Sequence, residues 1–426
     1  MTSSTVESLA QRPIAELRAM KPTRRLALAA ARARAARVKR QIGVTRVAEI
    51  GRFVDRGIHV CQATRPKLHD HHSTGMNTGA QGKGKDLRQA YVSAVIEAAE
   101  SYCAETRVID LVRGSYEQLR EVHVIAEPSQ FEYPETTVRI DPTAPQLWTK
   151  ALHLDLGVEA LVPAELVYLF LHPRSYGCAL GYYRSSIGLG AGFDPYTATV
   201  KAIYEVLEHH YRAHFPLRGV TVEGFVEEGA IARIVRGHSR EFRSRYQVLF
   251  CAVTLQSARQ NVPFVVCFMG DEQYYFGGWG IDLDPLAAIE RAYIEAFQNW
   301  ATAISGARER MASPGDRMGT RPYDAIDLKS LDRVWPDAPT LSVSAFARRY
   351  AHLRSGGDEL ARLRRVLRRN GFADCYLVNL SRYGIDCSVV RALVPGVAVD
   401  AHAWSTEGIT QDEILRRQFR FGEPAR

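Results

Sequence analysis

Along the chain, apolar and polar positions run through one cycle three times: a short β-branched or aromatic run, a glycine-containing turn, then a longer stretch with apolar residues at helical spacing. The helical members are DLRQAYVSAVIEAAESYCAE, the segment entered at Asp194 and the segment entered at Asp284. Residues 43–66 hold short β-branched runs broken by glycine, ALVPAELVYLFL reads as a strand, and FVVCFMG and QYYFGGWG read as two more. Past a linker-like stretch, 305–324, ELARLRRVLRRNG reads as a helix stopped by glycine, and ADCYLVNLS and CSVVRALVPG read as strands. The recurring order predicts an α/β fold of repeated strand–helix units.

The three helices are one pattern written three times. Gly82, Gly190 and Gly280 align, as do Ala90, Ala198 and Ala288, then Ala94, Ala202 and Ala292, then Glu97, Glu205 and Glu295. Three residues further on stand Glu100, Glu208 and Gln298; one turn before stand Ser93, Lys201 and Arg291. Positions i, i+4 and i+7 share a helix face, so each helix carries one polar triplet on a single side. Asp194-Pro195 and Asp284-Pro285 fit an N-cap with proline at the first helical position.

Glutamates on amphipathic helices ordinarily face water. Here each triplet is flanked by Ala, Val, Ile, Leu or Phe, as in SAVIEAAE, KAIYEVLE and RAYIEAF, which leaves little helix surface for solvent. Two carboxylates about 5 Å apart repel by roughly 3 kcal/mol at an effective dielectric near 20, before any desolvation is counted. Such pairs call for cations. Magnesium suits an all-oxygen site and bridges carboxylates to nucleotide phosphates, and Lys83, Lys85, Lys201 and Arg291 offer positive charge for a triphosphate. The pattern points to a nucleotide held at the centre of the repeated units.

Composition narrows the field. The 426 residues are 46% hydrophobic and 24% charged, a globular balance, and no apolar run nears the roughly 20 residues needed to span a bilayer. The first twenty residues do not read as an export signal, so a cytoplasmic protein is expected. Seven scattered cysteines without a CxxC pair suggest buried thiols, in which case Cys103 and Cys178 are inert. The net charge of +8 is concentrated in TRRLALAAARARAARVKR, read as a solvated basic helix; without aromatic residues to stack on bases, nucleic acid is a minor hypothesis.

Other local signals carry less. GxxxxGK[ST] is absent, and GLGAG follows a Tyr/Ser loop with Glu208 already inside the next helix, the wrong context for a dinucleotide fingerprint. HDHH at 69–72 offers imidazoles for a transition metal but reads as a substrate-facing loop, and His209-His210 fit either acid–base chemistry or a structural or phosphate-contacting role.

Gly82-Lys83-Gly84 with Ser93, Glu97 and Glu100, then SSIGLGAG with Glu205 and Glu208, then Arg291, Glu295 and Gln298 together resemble the YcaO superfamily, over about 43–395. The resemblance implies a YcaO-type α/β fold with a basic helical extension over 1–42, a catalytic domain over 43–400 and a tail over 401–426. It implies an ATP- and Mg2+-dependent enzyme that phosphorylates a backbone amide of a ribosomally made precursor peptide, giving an azoline ring, a thioamide or an amidine. By the same resemblance Glu97, Glu100, Glu205, Glu208 and Glu295 hold magnesium, and Lys83, Ser93, Lys201, Arg291 and Gln298 contact the nucleotide. Partners implied are the precursor peptide, a separate leader-binding or TfuA-like protein, and a second copy in a homodimer. The chain departs from the family pattern at Ser101, His209-His210 and Ile187, and its tail lacks a proline-alternating end. His209 then stands as a substitute phosphate donor. A catalytically altered member acting as a scaffold in a modifying complex is the contrasting reading.

Overall fold

The structure, a computed structural model, describes residues 12–23, 26–51, 57–66, 77–105, 111–131, 139–169, 171, 176–179, 181–182, 185–214, 220–226, 247–255, 257–270, 275–305 and 339–398. The HDHH loop, most of the linker-like stretch and the tail lie outside them.

Among the described residues three sheets organise the fold. The first is an antiparallel meander of β1 (Arg46–Glu49), β2 (His59–Pro66) and β3 (Asn77–Gly84). The second runs β11-β10-β9-β8-β12, from β8 (Val220–Val226), β9 (Gln247–Leu255), β10 (Phe264–Gly270), β11 (Tyr275–Ile281) and the short β12 (Thr340–Leu341), which joins β8 in parallel. The third runs β4-β5-β13-β14-β7, from β4 (Val112–Gly114), β5 (Gln146–His153), β7 (Leu189–Gly192), β13 (Tyr376–Asn379) and β14 (Ser388–Leu393), with β6 (Glu159–Pro163) also on β5. The strand expected over 160–171 therefore stops early: Pro163 has no N–H to extend a ladder, and a 3-10 turn follows at Ala164–Leu166.

Among the described residues the longer helices packed around these sheets are α1 (Leu28–Gln41), α2 (Leu87–Glu105), α3 (Pro195–His214), α4 (Pro285–Ile304), α5 (Val343–Arg349) and α6 (Glu359–Arg369), beside single turns at Ala15–Arg18 and Tyr116–Leu119. The three repeated helices α2, α3 and α4 each follow a strand at the edge of a different sheet, namely β3, β7 and β11.

The joint between strand and helix explains the repeated glycine and alanines. A Cβ on Gly82 would lie 1.9 Å from the Ala94 nitrogen and 2.4 Å from the Ala90 oxygen. One on Gly190 would meet the Ala198 oxygen at 2.3 Å and the Ala202 nitrogen at 2.5 Å, and one on Gly280 the Ala288 oxygen at 2.1 Å and the Ala292 nitrogen at 2.5 Å. Strand backbone rests directly on helix backbone, a closeness that admits no side chain on the strand and only methyl groups on the helix. The entry is repeated too. Asp194 Oδ1 accepts from the Thr197 N–H at 2.8 Å and Asp284 Oδ1 from the Leu286 N–H at 3.1 Å, as their Asp-Pro pairs predict. Asp86, in register with both, accepts from the Arg88 N–H at 2.7 Å, a third cap that lacks the proline.

Each repeated helix also packs on the next unit's strand: α2 reaches β7, α3 reaches β11, and α4 returns to β3. The three units thereby close a ring, and helix positions turned away from their own strand meet at its axis. The basic helix α1 is not a free surface. It buries Ala31, Ala35 and Val38, packs on α2, and ties Arg34 and Arg37 to Asp386 at 2.6 Å each, with Arg32 stacked 3.3 Å over the Tyr91 ring. Among the described residues no helix is long and apolar enough to cross a membrane.

Candidate functional site

The polar triplets meet where the ring closes. Glu97 and Glu100 on α2, Lys201, Glu205 and Glu208 on α3, and Arg291 and Glu295 on α4 all act electrostatically on one another. Burial, then the neighbouring Glu97 charge, pushes the Glu100 carboxyl up to about 8, against Lys201 and Arg391. Glu205 is raised well above the carboxylate range by burial and by Glu100, and Glu208 is pushed up to about 8 by burial and by Glu295. Carboxyls that resist ionising at neutral pH mark a site short of positive charge.

The candidate cations and donors are held by the protein itself. Lys83 on β3 reaches Glu295 on α4 at 2.9 Å, and the adjacent Lys85 reaches Glu290 at 2.8 Å. Lys201 donates to the Ala191 carbonyl at 2.9 Å. The residue keeps an exposed surface, while desolvation around it lowers its pKa against the pull of Glu100. Arg291 pairs with Asp282 at 3.0 Å and lies over the Tyr204 ring, whose hydroxyl donates to Glu359 at 2.8 Å. Gln298 donates to Gln81 on β3, and Ser93 sits half-buried one turn before Glu97. His209 is held by burial and by Arg212 down to about 3, so any contact it makes at neutral pH is that of a neutral imidazole.

Three residues of this region escape a reading of the sequence. Gln81 accepts from the Thr302 hydroxyl at 2.6 Å and from Gln298, while its backbone N–H points to Glu97 at 3.4 Å, so it joins α2 to α4; its signal is its place directly before Gly82-Lys83-Gly84. Asp282 orients Arg291. Arg391, on β14 opposite Leu189 of β7, is 2% exposed and carries its charge beside Glu100 and Glu205. A lone arginine inside the apolar run CSVVRALVPG was the available sign.

A magnesium–nucleotide complex suits this donor set. Among the described residues no three His, Cys, Asp or Glu side chains converge tightly enough to hold an ion unaided. Magnesium does not require that, because it keeps waters and takes phosphate oxygens beside one or two carboxylates. The proton-retaining Glu100, Glu205 and Glu208 offer the oxygens, and Lys83, Lys201 and Arg291 border them with the charge a triphosphate needs. No nearby group supports thiol chemistry: all seven cysteines are buried, and burial pushes Cys103 up to about 12. A cavity of about 410 Å³ near Tyr196, Asp358 and Arg364 contains none of the triplet residues.

Comparison with known proteins gives this arrangement a lineage. An uncharacterized protein of Methanothermobacter thermautotrophicus is 29% identical over 362 residues, 84% of this chain and 90% of its own. A Rhizobium leguminosarum bv. trifolii protein, described as lying in the tfuA 3′ region, is 25% identical over 381 residues, 85% of each. Among solved structures, YcaO from Methanopyrus kandleri bound with AMPPCP and Mg2+ superposes with a TM-score of 0.64 at 21% identity, covering 88% of this chain and 92% of that one. The family model for the YcaO cyclodehydratase, ATP- and Mg2+-binding, matches residues 81–398, which include all three repeated helices, the ring they close and the late strand that carries Arg391. The chain belongs to the YcaO family.

Proposed function

We propose that the protein activates a backbone amide of a ribosomally made peptide at the expense of ATP, so that a nucleophile can replace the amide oxygen. The observation that carries this reading is the convergence of the half-buried Glu100, Glu205 and Glu208, whose pKa values are raised by burial and by neighbouring carboxylates, beside Lys83, Lys201 and Arg291. Bound together, ATP and Mg2+ supply the phosphoryl group that turns a poor leaving group, the amide oxygen, into phosphate, with the metal offsetting charge.

The chain's own residues bind and orient. Glu97, Glu100, Glu205, Glu208 and Glu295 are the proposed metal ligands. Lys83, Lys201, Arg291 and Gln298 are the proposed nucleotide contacts, with Ser93 and neutral His209 as further hydrogen-bonding groups. Asp282 and Gln81 hold Arg291 and Gln298 in place. Such a reaction relies mainly on positioning and charge, which fits a site without an activated nucleophile of its own.

The incoming nucleophile is external sulfide, giving a thioamide, or a Cys or Ser side chain of the peptide, giving an azoline. The relative from the tfuA region favours the thioamide outcome and a separate partner protein. Incubation of the chain with ATP, Mg2+, a sulfide source and candidate precursor peptides, followed by mass spectrometry, tests the reading. Exchange of one oxygen for sulfur supports thioamidation and loss of one water supports ring closure. Unmodified peptide, with no peptide-stimulated phosphate release, would leave the protein as a scaffold.

A further inference from the structure

Arg391 is buried with two of its donors unused. Its Nη2 donates to the Ser185 carbonyl at 2.8 Å, while Nε and Nη1, both inaccessible to solvent, have no hydrogen-bond partner among the described residues. Its charge bears on Glu205 and Glu100, and theirs on it, yet among the described residues none of the three is in an ion pair. Burying unpaired N–H groups of a cation is unfavourable unless a partner arrives. The surrounding backbone keeps the side chain in place. The Ala392 N–H donates to the Gly188 carbonyl at 2.8 Å, and at Gly188, with φ of 81°, a Cβ would lie 2.2 Å from the Ala392 oxygen, so β14 and the glycine loop are in direct backbone contact beside Arg391.

We propose that Arg391 is a positioning residue for the metal ligands: its free Nε and Nη1 would hold the carboxylates of Glu100 and Glu205 in the orientation in which they would ligate Mg2+. Nε and Nη1 are the inaccessible atoms, while the residue borders a small cavity with Ser185, Ile187 and Val206, and it is those two nitrogens that are assigned to the carboxylates. Ligating carboxylates are characteristically held by such outer partners, whose loss weakens metal binding about 10- to 100-fold. The forked guanidinium suits the task because it can serve two carboxylates while still holding Ser185, which a lysine ammonium at the same place does less well. This inference rests on the magnesium–nucleotide reading of the site.

The test is a Mg2+ titration of the binding of a non-hydrolysable ATP analogue, followed by calorimetry, for the wild type, Arg391→Lys and Arg391→Met, with melting temperatures recorded in parallel. The expected result is a wild type that binds the analogue in a Mg2+-dependent way, a Mg2+ requirement raised at least about tenfold in Arg391→Met, and a smaller rise in Arg391→Lys. Bare removal of a positive charge would act the other way and lower the requirement. An unchanged or lowered requirement in both variants, with or without a fall in melting temperature, overturns the inference and leaves the reading of the site intact. A wild type that binds no analogue with Mg2+ overturns both. Should Arg391→Met not fold, Arg391→Lys decides.

Discussion

Two halves of the acid cluster grow from one repeated pattern and end in different electrostatic states. Around Glu208 and Glu295 the ring supplies its own counter-charge: Lys83 crosses from β3 to α4 and pairs with Glu295 at 2.9 Å. Around Glu100 and Glu205 positive charge is near, on Lys201 and Arg391, but among the described residues neither carboxylate joins an ion pair, and both stay protonated past the ordinary carboxylate range. The first half is closed by one ion pair, although Glu208 within it is still pushed up to about 8, and the other is open, with no ion pair among the described residues. The difference arises because the position that supplies Lys83 in the first unit's strand is Ala191 in the second and Ile281 in the third.

The largest expected effect breaks the open half. Glu205→Gln and Glu100→Gln keep side-chain volume and remove a carboxyl that, among the described residues, is in no ion pair. Each should abolish Mg2+-dependent binding of an ATP analogue, a loss of at least about a hundredfold, together with peptide-stimulated phosphate release. The unloaded variants should melt no lower than the wild type, since a carboxyl whose pKa is raised on folding opposes folding at neutral pH. Glu295→Gln should instead melt lower, because Lys83 loses its partner. Calorimetric binding and melting curves on the three variants check the contrast, and equal behaviour of all three would erase it.

How much of this could be read from the chain depends on which features repeat. The helices, the glycine–alanine joints and the triplets recur at fixed spacing, so periodicity exposes them: Gly190 and Gly280 with their Asp-Pro caps are legible at once. Asp86 does the same work without a proline, and its role emerges only from its hydrogen bonds. Ring closure is a matter of which strand each helix reaches beyond its own, which no local pattern encodes. Arg391 and Gln81 have no counterpart in the other units; a single buried polar residue on a strand has no period to betray it. The expectation of a solvated basic helix likewise missed that Asp386, some 350 positions away in sequence, anchors Arg34 and Arg37.

The closed half yields a smaller effect. Lys83→Met frees Glu295 and removes one of the charges that hold down the Glu208 pKa. Binding of the ATP analogue should weaken by about tenfold, the scale of one lost charge-assisted contact, and the variant should require less Mg2+ to reach half-saturation, since Glu295 no longer has a competing partner. Analogue titrations at fixed low and high Mg2+ separate the two changes. A requirement that rises would mean that Lys83 serves only the closed pair and leaves the metal untouched.

The smallest effect, and the one that reads the whole cluster, is the pH dependence of the unloaded protein. In the unfolded chain the glutamates ionise near their usual pKa of 4.5; folded, Glu100 and Glu208 hold their protons to about 8 and Glu205 beyond the carboxylate range. Between those limits the folded state binds more protons, so stability falls as pH rises. His209 and His210, held at about 3 and about 4 by burial, bind fewer protons when folded and act oppositely, but only while the unfolded imidazoles titrate, up to roughly pH 7. Lys201, lowered by burial, opposes the carboxylates again at the alkaline end. Three raised carboxyls outweigh two lowered imidazoles, so the melting temperature should fall gradually from about pH 5 and more steeply between about pH 7 and 8.5, by about 1 °C for each kcal/mol lost in a chain of this size. Saturating Mg2+ and ATP analogue should flatten that decline, because ions that hold the carboxylates deprotonated remove the difference in proton binding that causes it. A melting temperature that stays level or climbs above pH 7 without ligand would mean that the carboxyl cluster as a whole is already neutralised from within.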